Sequence, residues 1–176
     1  MKDHLHRLFP VSAAVLIVFS IGCSDDKVVA DLSSTVADNA HSLTWMKCSV
    51  GQRAQGDGCD GDAVRLTWYE ATDLVRQLEP DSSNPWRLPT PDELLSLVDC
   101  VQGRVQVNSV DMRCIVDVNS GRANIDYNTF PNTEAASYWS SVTRDDAIAW
   151  QVDFQSGEPA GHFRTTPNFV RLVRDQ

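Results

Sequence analysis

The first 23 residues decide the compartment in which this chain folds, and the compartment decides which crosslinks the rest can form. Lys2 and Arg7 make a short basic region, followed by an apolar run from Leu8 to Gly22 that contains Ala13-Ala14-Val15-Leu16-Ile17-Val18-Phe19. As a helix this run reaches only about 22 Å, short of the roughly 30 Å hydrocarbon core of a bilayer. The pattern is that of a secretory signal over residues 1–22, with an uncleaved anchor as the weaker alternative.

The run closes on Ser20-Ile21-Gly22-Cys23, which resembles the bacterial lipobox, where small residues precede a cysteine that is acylated and becomes the new N-terminus. Leu is usual where Ser20 stands and a smaller residue where Ile21 stands, so an ordinary cleaved signal is the alternative. Two or three acyl chains, at about 0.8 kcal/mol per buried CH₂, form a stable anchor on Cys23. The expected membrane partner is thus reached through lipid, without a spanning helix. Ser24 stands where an Asp would be the inner-membrane retention signal, and by the same resemblance the outer membrane is the favoured destination.

The whole chain of 176 residues has 15 Lys and Arg against 24 Asp and Glu, a net charge of −9. Loss of residues 1–22 removes two basic groups and one acidic group and leaves an exported part at −10. That balance argues against nucleic acid as a partner, because binding it requires a basic field that releases counterions. The remaining length suits one domain.

Export assigns the five cysteines. Cys23 takes the lipid, and Cys48, Cys59, Cys100 and Cys114 remain as an even set in an oxidising compartment, for which two disulfides are the default. Four cysteines allow three connectivities. The preferred pairing is local, Cys48 with Cys59 and Cys100 with Cys114, each closing a loop of roughly a dozen residues. A zinc site is the rival, but no cysteine pair has the close spacing of a zinc knuckle.

Residues 24–40 carry no aromatic residue and no sustained period, so residues 23–40 are expected to be a lipidated cysteine and flexible tether. All five tryptophans lie in the following stretch, 41–176, which is the expected domain. Leu43-Thr44-Trp45-Met46 reads as a short strand. Thr67-Trp68-Tyr69-Glu70 is a capping box, and Trp68, Ala71, Leu74, Val75 and Leu78 follow at helical spacing, predicting a helix over about 68–79. Thr90-Pro91-Asp92-Glu93 opens a second, short helix, with Pro at the position where its missing N–H costs nothing. Beyond Cys100 the period changes to two: Val105 and Val107, Tyr138 to Val142, and Ile148, Trp150, Val152 and Phe154 read as strands. Gln155-Ser156-Gly157-Glu158 is a turn, and Phe169 to Arg174 is a closing strand. Two early helices followed by antiparallel strands indicate an α+β domain whose first strand can pair with its last.

Several strings occur in order: Leu43-Thr44-Trp45, Thr67-Trp68-x-Glu70-Ala71, Trp86-Arg87-Leu88-Pro89-Thr90-x-x-Glu93-Leu94, Phe130-Pro131-Asn132-Thr133, Tyr138-Trp139-Ser140-Ser141 and Val170-Arg171-Leu172-Val173-Arg174. Over about residues 41–175 the chain resembles the family formerly called domain of unknown function 1566, now named for the C-terminal domain of the Legionella collagen-like adhesin. The resemblance implies a C-type-lectin-like fold, similar also to the formylglycine-generating enzyme core, with paired N- and C-terminal strands. It implies binding of sulfated polysaccharides only for the adhesin itself, which also has a collagen-like stalk that this chain lacks. Fold does not fix function.

Candidate binding residues follow from chemistry. A tryptophan can pack on the C–H face of a sugar. Trp68 and Trp86 at helix starts and Trp150 on the buried phase of its strand are expected in the core, which leaves Trp139 as the candidate platform. Arg87, Arg171 and Arg174 could bind anions in planar, bidentate fashion, or pair with Asp92, Glu93 and other carboxylates. Asp57, Asp60 and Asp62 offer closely spaced oxygens that could suit calcium, although the bidentate Glu of an EF-hand loop is missing and a solvated acidic turn is the plainer reading. No other cofactor is indicated. His41, His162, Ser140 and Ser141 show no spacing that selects a triad, and the chain is expected not to be an enzyme. The expectation is an exported, outer-membrane lipoprotein presenting a lectin-like binding or adhesion module for glycans, or alternatively an envelope assembly factor that binds another protein.

Overall fold

The computed structural model describes residues 16–20, 27–79, 82–100, 104–106, 112–114, 116–117, 119 and 121–176. Cys23 and most of the expected signal segment lie outside the described residues, as does the side chain of Cys114.

Folding begins well before His41. Strands β1 (Leu16–Ser20) and β2 (Lys27–Asp31) pair antiparallel, from Leu16 opposite Asp31 to Ser20 opposite Lys27. Val28, Ala30 and Asp31 are buried. The Asp31 carboxylate accepts from the backbone N–H of Ala54 at 2.8 Å and of Ser33 at 3.0 Å. Burial pushes this carboxyl up, but the Ser33 hydroxyl and these N–H donors outweigh it and hold it below the usual carboxylate range. Strand β3 (Thr35–Asp38) follows and pairs with β4 (Leu43–Met46). The flexible tether expected over residues 23–40 is thereby corrected, since from Lys27 onward it belongs to the folded body. Its polar composition concealed this because the acidic group at Asp31 is satisfied internally and β3 is too short to establish a period.

β4 is the central strand of three, between β3 and β12 (Val173–Asp175), with Trp45 opposite both Val36 and Val173. The pairing of N- and C-terminal strands anticipated from the sequence is present. Just beyond β4, Cys48 is bonded to Cys59 in the hairpin formed by β5 (Arg53–Gln55) and β6 (Gly58–Asp60), with Cα atoms 5.6 Å apart. Gly51 sits between them at φ +100°, where a Cβ would meet the Asp62 carbonyl oxygen and the Val64 nitrogen at 2.6 Å. Only glycine allows the chain to turn back so closely.

Helices α1 (Trp68–Leu78) and α2 (Pro91–Ser96) both start with a complete capping box. In the first, the Glu70 N–H donates to Thr67 Oγ1 at 3.3 Å and the Thr67 N–H donates to the Glu70 carboxylate at 2.8 Å. In the second, the corresponding distances for Glu93 and Thr90 are 3.2 and 2.7 Å. α1 buries Ala71, Leu74 and Leu78; α2 buries Leu94. Strands β7 (Arg104–Gln106) and β8 (Met112–Cys114) form a hairpin, and Cys100 is disulfide-bonded.

A three-stranded antiparallel sheet completes the α+β domain, with β10 (Ile148–Asp153) between β9 (Ser137–Thr143) and β11 (Glu158–Phe163). Alternation along β9 and β10 divides the interior in two. Trp139 and Ala149 join Trp86, Leu88, Leu74 and Leu172 in one core; Tyr138 and Val152 join Trp45, Leu94, Phe154 and Val173 in the other.

Candidate ligand groove

The tryptophan singled out as a platform cannot act as one. Trp139 is fully buried, and its Nε1 donates to the Leu66 carbonyl at 2.8 Å, which leaves no face for a ligand. Trp86 is likewise in the core.

The three arginines fall into different settings. Arg87 donates through Nη1 and Nη2 to both Glu93 carboxylate oxygens at 2.8 Å, and through Nη2 to Asp175 at 2.7 Å. The hydrogen bonds to Glu93, and then to Asp175, hold its guanidinium above the ordinary value in spite of burial. It joins the start of α2 to β12. Arg174 lies over the Trp86 ring, 4.8 Å from its centroid. Arg171 has no exposed surface and lies neither at a ligand face nor beside a carboxylate. It donates to the carbonyls of Met46, at 2.9 Å, and Lys47, to Thr133 Oγ1 at 2.8 Å and to Ser49 Oγ at 3.3 Å, with the Phe130 ring 4.9 Å from its guanidinium carbon. Burial pulls its pKa down, but the surrounding oxygens replace water as acceptors. An anion-binding role for Arg171 is corrected to that of an interior crosslink.

Asp57, Asp60 and Asp62 are exposed on and beside the β5–β6 hairpin. Among the described residues no three His, Cys, Asp or Glu side chains are grouped to hold a metal ion. His41 is bonded to Asp38 at 2.8 Å, and the ring of His162 lies edge-on to Trp139. Ser140 is buried and donates to the Trp150 carbonyl at 2.8 Å.

Trp150 departs furthest from expectation. Ile148 and Val152, its neighbours on the same strand face, are buried, whereas Trp150 is only half-buried. A strand irregularity accompanies this. Between the pairs Trp139–Gln151 and Thr143–Ala149, the residues Ser140, Ser141 and Val142 stand opposite Trp150 alone, a bulge in β9. Its backbone is satisfied locally: Ser141 N–H donates to the Pro89 carbonyl at 2.7 Å, and Trp68 Nε1 to the Ser140 carbonyl at 2.9 Å. Leu94 of α2 shares a core with Val152, while the first turn of α2 lies beside Trp150 without burying it.

An open groove of about 460 Å³ results. Thr90, Pro91, Asp92 and Leu95 line it from the start of α2, and Val142 and Pro159 flank Trp150 from the strands on either side. Val142 is 39% exposed, unusual for a valine within a sheet. The lining is mainly apolar, with one aromatic ring, one hydroxyl and one carboxylate, and its size is that of a small-ligand site. Strand alternation assigned Trp150 to the core, and the bulge opposite it has no signature in the sequence.

A family model described as the Lcl C-terminal domain matches residues 34–174. The chain belongs to this family. The Lcl C-terminal domain match starts immediately before β3 and ends within β12, so it takes in part of what the sequence suggested was tether, along with the groove and the Arg171 crosslink. No match is found among curated proteins.

Proposed function

We propose that the protein is an exported lipoprotein, anchored to the outer membrane through Cys23, whose Lcl C-terminal domain acts without catalysis as a binding or adhesion module for glycans. The observation that carries this reading is the half-buried Trp150 ring set among Pro91, Leu95, Val142 and Pro159, with Asp92 beside it. A flat apolar ring suits the C–H face of a pyranose, and a carboxylate accepts hydrogen bonds from its hydroxyls. With −10 on the exported part and Asp92 in the groove, neutral glycans fit better than sulfated ones.

Binding of the purified mature protein to a glycan array, repeated with Trp150→Ala, is the test. Wild-type signal on neutral glycans, unaffected by chelator and lost in the variant, is the expected result. Trp150→Ala should leave the fold intact, whereas Trp139→Ala in the core should cost about 3–5 kcal/mol. The apolar rim with its two prolines also fits a protein segment. An array without signal, together with a crosslinked envelope protein at the groove, would replace glycan recognition by envelope assembly. Membrane fractionation of Cys23→Ser tests the anchor, which requires the variant to be released.

A further inference from the structure

β11 is an outer strand of the β9–β10–β11 sheet, and among the described residues no strand lies beyond it. The Arg164 N–H donates to the Ala147 carbonyl at 2.8 Å, one step past the pair Ile148–Phe163. Bonded pairs alternate in an antiparallel ladder, so Glu158, Ala160 and His162 bond inward to β10 while Pro159, Gly161 and Phe163 present their backbone groups outward. Pro159 agrees with this phase, since the residue without an N–H stands where β10 asks for none. The Phe163 carbonyl accepts from the Thr166 N–H at 2.9 Å. The groups that remain open along the edge are the N–H of Gly161 and of Phe163 and the carbonyls of Pro159 and Gly161, and Gly161 is exposed. Usual guards of an edge are missing: β11 carries no lysine, its register with β10 is unbroken, and Phe163 is 61% exposed.

We propose that β11 pairs with β11 of a second copy of this chain, antiparallel about a two-fold axis at Gly161, which joins two three-stranded sheets into one. Each Gly161 N–H then meets the Gly161 carbonyl of the partner subunit, and each Phe163 N–H meets the partner's Pro159 carbonyl. The bond that this pairing lacks, from Pro159 to Phe163, lacks donor and acceptor alike, because the proline has no N–H and the carbonyl is already taken by Thr166. Moving the register by two residues sets Gly161 against Pro159, which has no N–H, or against Phe163, whose carbonyl is occupied. Side chains agree with the two-fold register. It places Glu158 opposite Arg164 of the partner subunit, a pair of opposite charge, and residues 158–164 balance one Glu against one Arg in a chain that is otherwise acidic. On the other face it places Pro159 opposite the partner's Phe163. Pro159 lines the Trp150 groove, so Phe163 of the partner subunit extends the groove's apolar wall. The pairing requires neither the lipid anchor nor glycan binding.

Disulfide trapping reads the register. Ala160 stands opposite the partner's His162 at a pair whose Cα atoms are about 4.5 Å apart, within the span of a disulfide, whereas Ala160 and its own counterpart lie on the diagonal, about 7–8 Å apart. The full chain is made as Ala160→Cys and as His162→Cys, and the two are mixed before oxidation. A disulfide-bonded dimer from the mixture, with little from either variant alone, is the expected result, and matching thermal unfolding curves establish that both variants are folded. Sedimentation of the unmodified full chain should show a dimer forming as the concentration rises to about 100 μM. Ala160→Lys, at an exposed position, should weaken that dimer by about tenfold. A chain that stays monomeric to that concentration, a dimer unaffected by Ala160→Lys, or equal crosslinking from the single variants would overturn self-pairing. Crosslinking of Ala160→Cys to another protein in cells, with the purified chain monomeric, would overturn it in favour of an extended segment of that protein.

Discussion

At Arg171 a full positive charge is held inside the protein by neutral oxygens. The side chain connects the end of β4 and the residues after it, through the Met46 and Lys47 carbonyls and Ser49 Oγ, with Thr133, which lies far from them in sequence. Ser49 also shares a hydrogen bond with the buried Tyr138 hydroxyl at 2.9 Å, and burial pushes that phenol's pKa up. The strings Phe-Pro-Asn-Thr, Tyr-Trp-Ser-Ser and Val-Arg-Leu-Val-Arg thus converge on one polar cluster. Asn132, between Phe130 and Thr133, takes φ +55°, which asparagine tolerates, and its carbonyl accepts from Gln52 Nε2 at 3.2 Å. Arg171→Met leaves several buried acceptors without donors, and a loss of about 2–5 kcal/mol in urea unfolding is expected. Arg171→Lys should not rescue it, since an ammonium cannot reproduce the planar fork. Nothing in the sequence separated Arg171 from Arg174, because the difference lies in what packs over each.

Elements were the most legible level. Both capping boxes, the short β4 and the β9–β10–β11 run follow from patterns spanning fewer than ten residues, and the backbone forms them as written. Glu93 shows an element tied into its surroundings. Burial pushes its carboxyl up, but Arg87 and the Thr90 N–H outweigh that and hold it below the usual range. A carboxyl whose folded pKa is lowered contributes stability that is fully present above the unfolded value, about 4.3, and is lost as the pH falls through the folded value. Glu93→Gln is expected to cost about 1 kcal/mol at pH 7, and the difference from wild type should shrink as the pH is lowered to 3. Denaturant curves at several pH values measure this. The strand at 148–153 was also correctly read, yet the exposure of Trp150 was not. Alternation predicts which face a side chain takes, while what packs over that face, here the first turn of α2 and the bulged β9, determines how much of it is covered.

For the molecule as a whole, the Cys48–Cys59 bond ties the end of β4 to the β5–β6 hairpin, next to where Asp31 holds β2. Replacing both cysteines with serine should lower stability by about 3 kcal/mol in the chain-entropy picture, measured by urea unfolding with the bond at Cys100 left in place. The same region places strands at Lys27–Asp31 and Thr35–Asp38, where the sequence suggested a spacer. The sequence by itself determined what neighbours in the chain decide: helix starts, strand periods, the local disulfide at Cys48 and the acidic balance of the exported part. Only the tertiary structure decided which tryptophan is free to meet a ligand, which arginine is buried, and where folding begins. Leu66 caps Trp139, Thr133 receives Arg171 and Ala54 holds Asp31 across 73, 38 and 23 residues of sequence. Burial is set by such distant partners, and no short-range pattern encodes them.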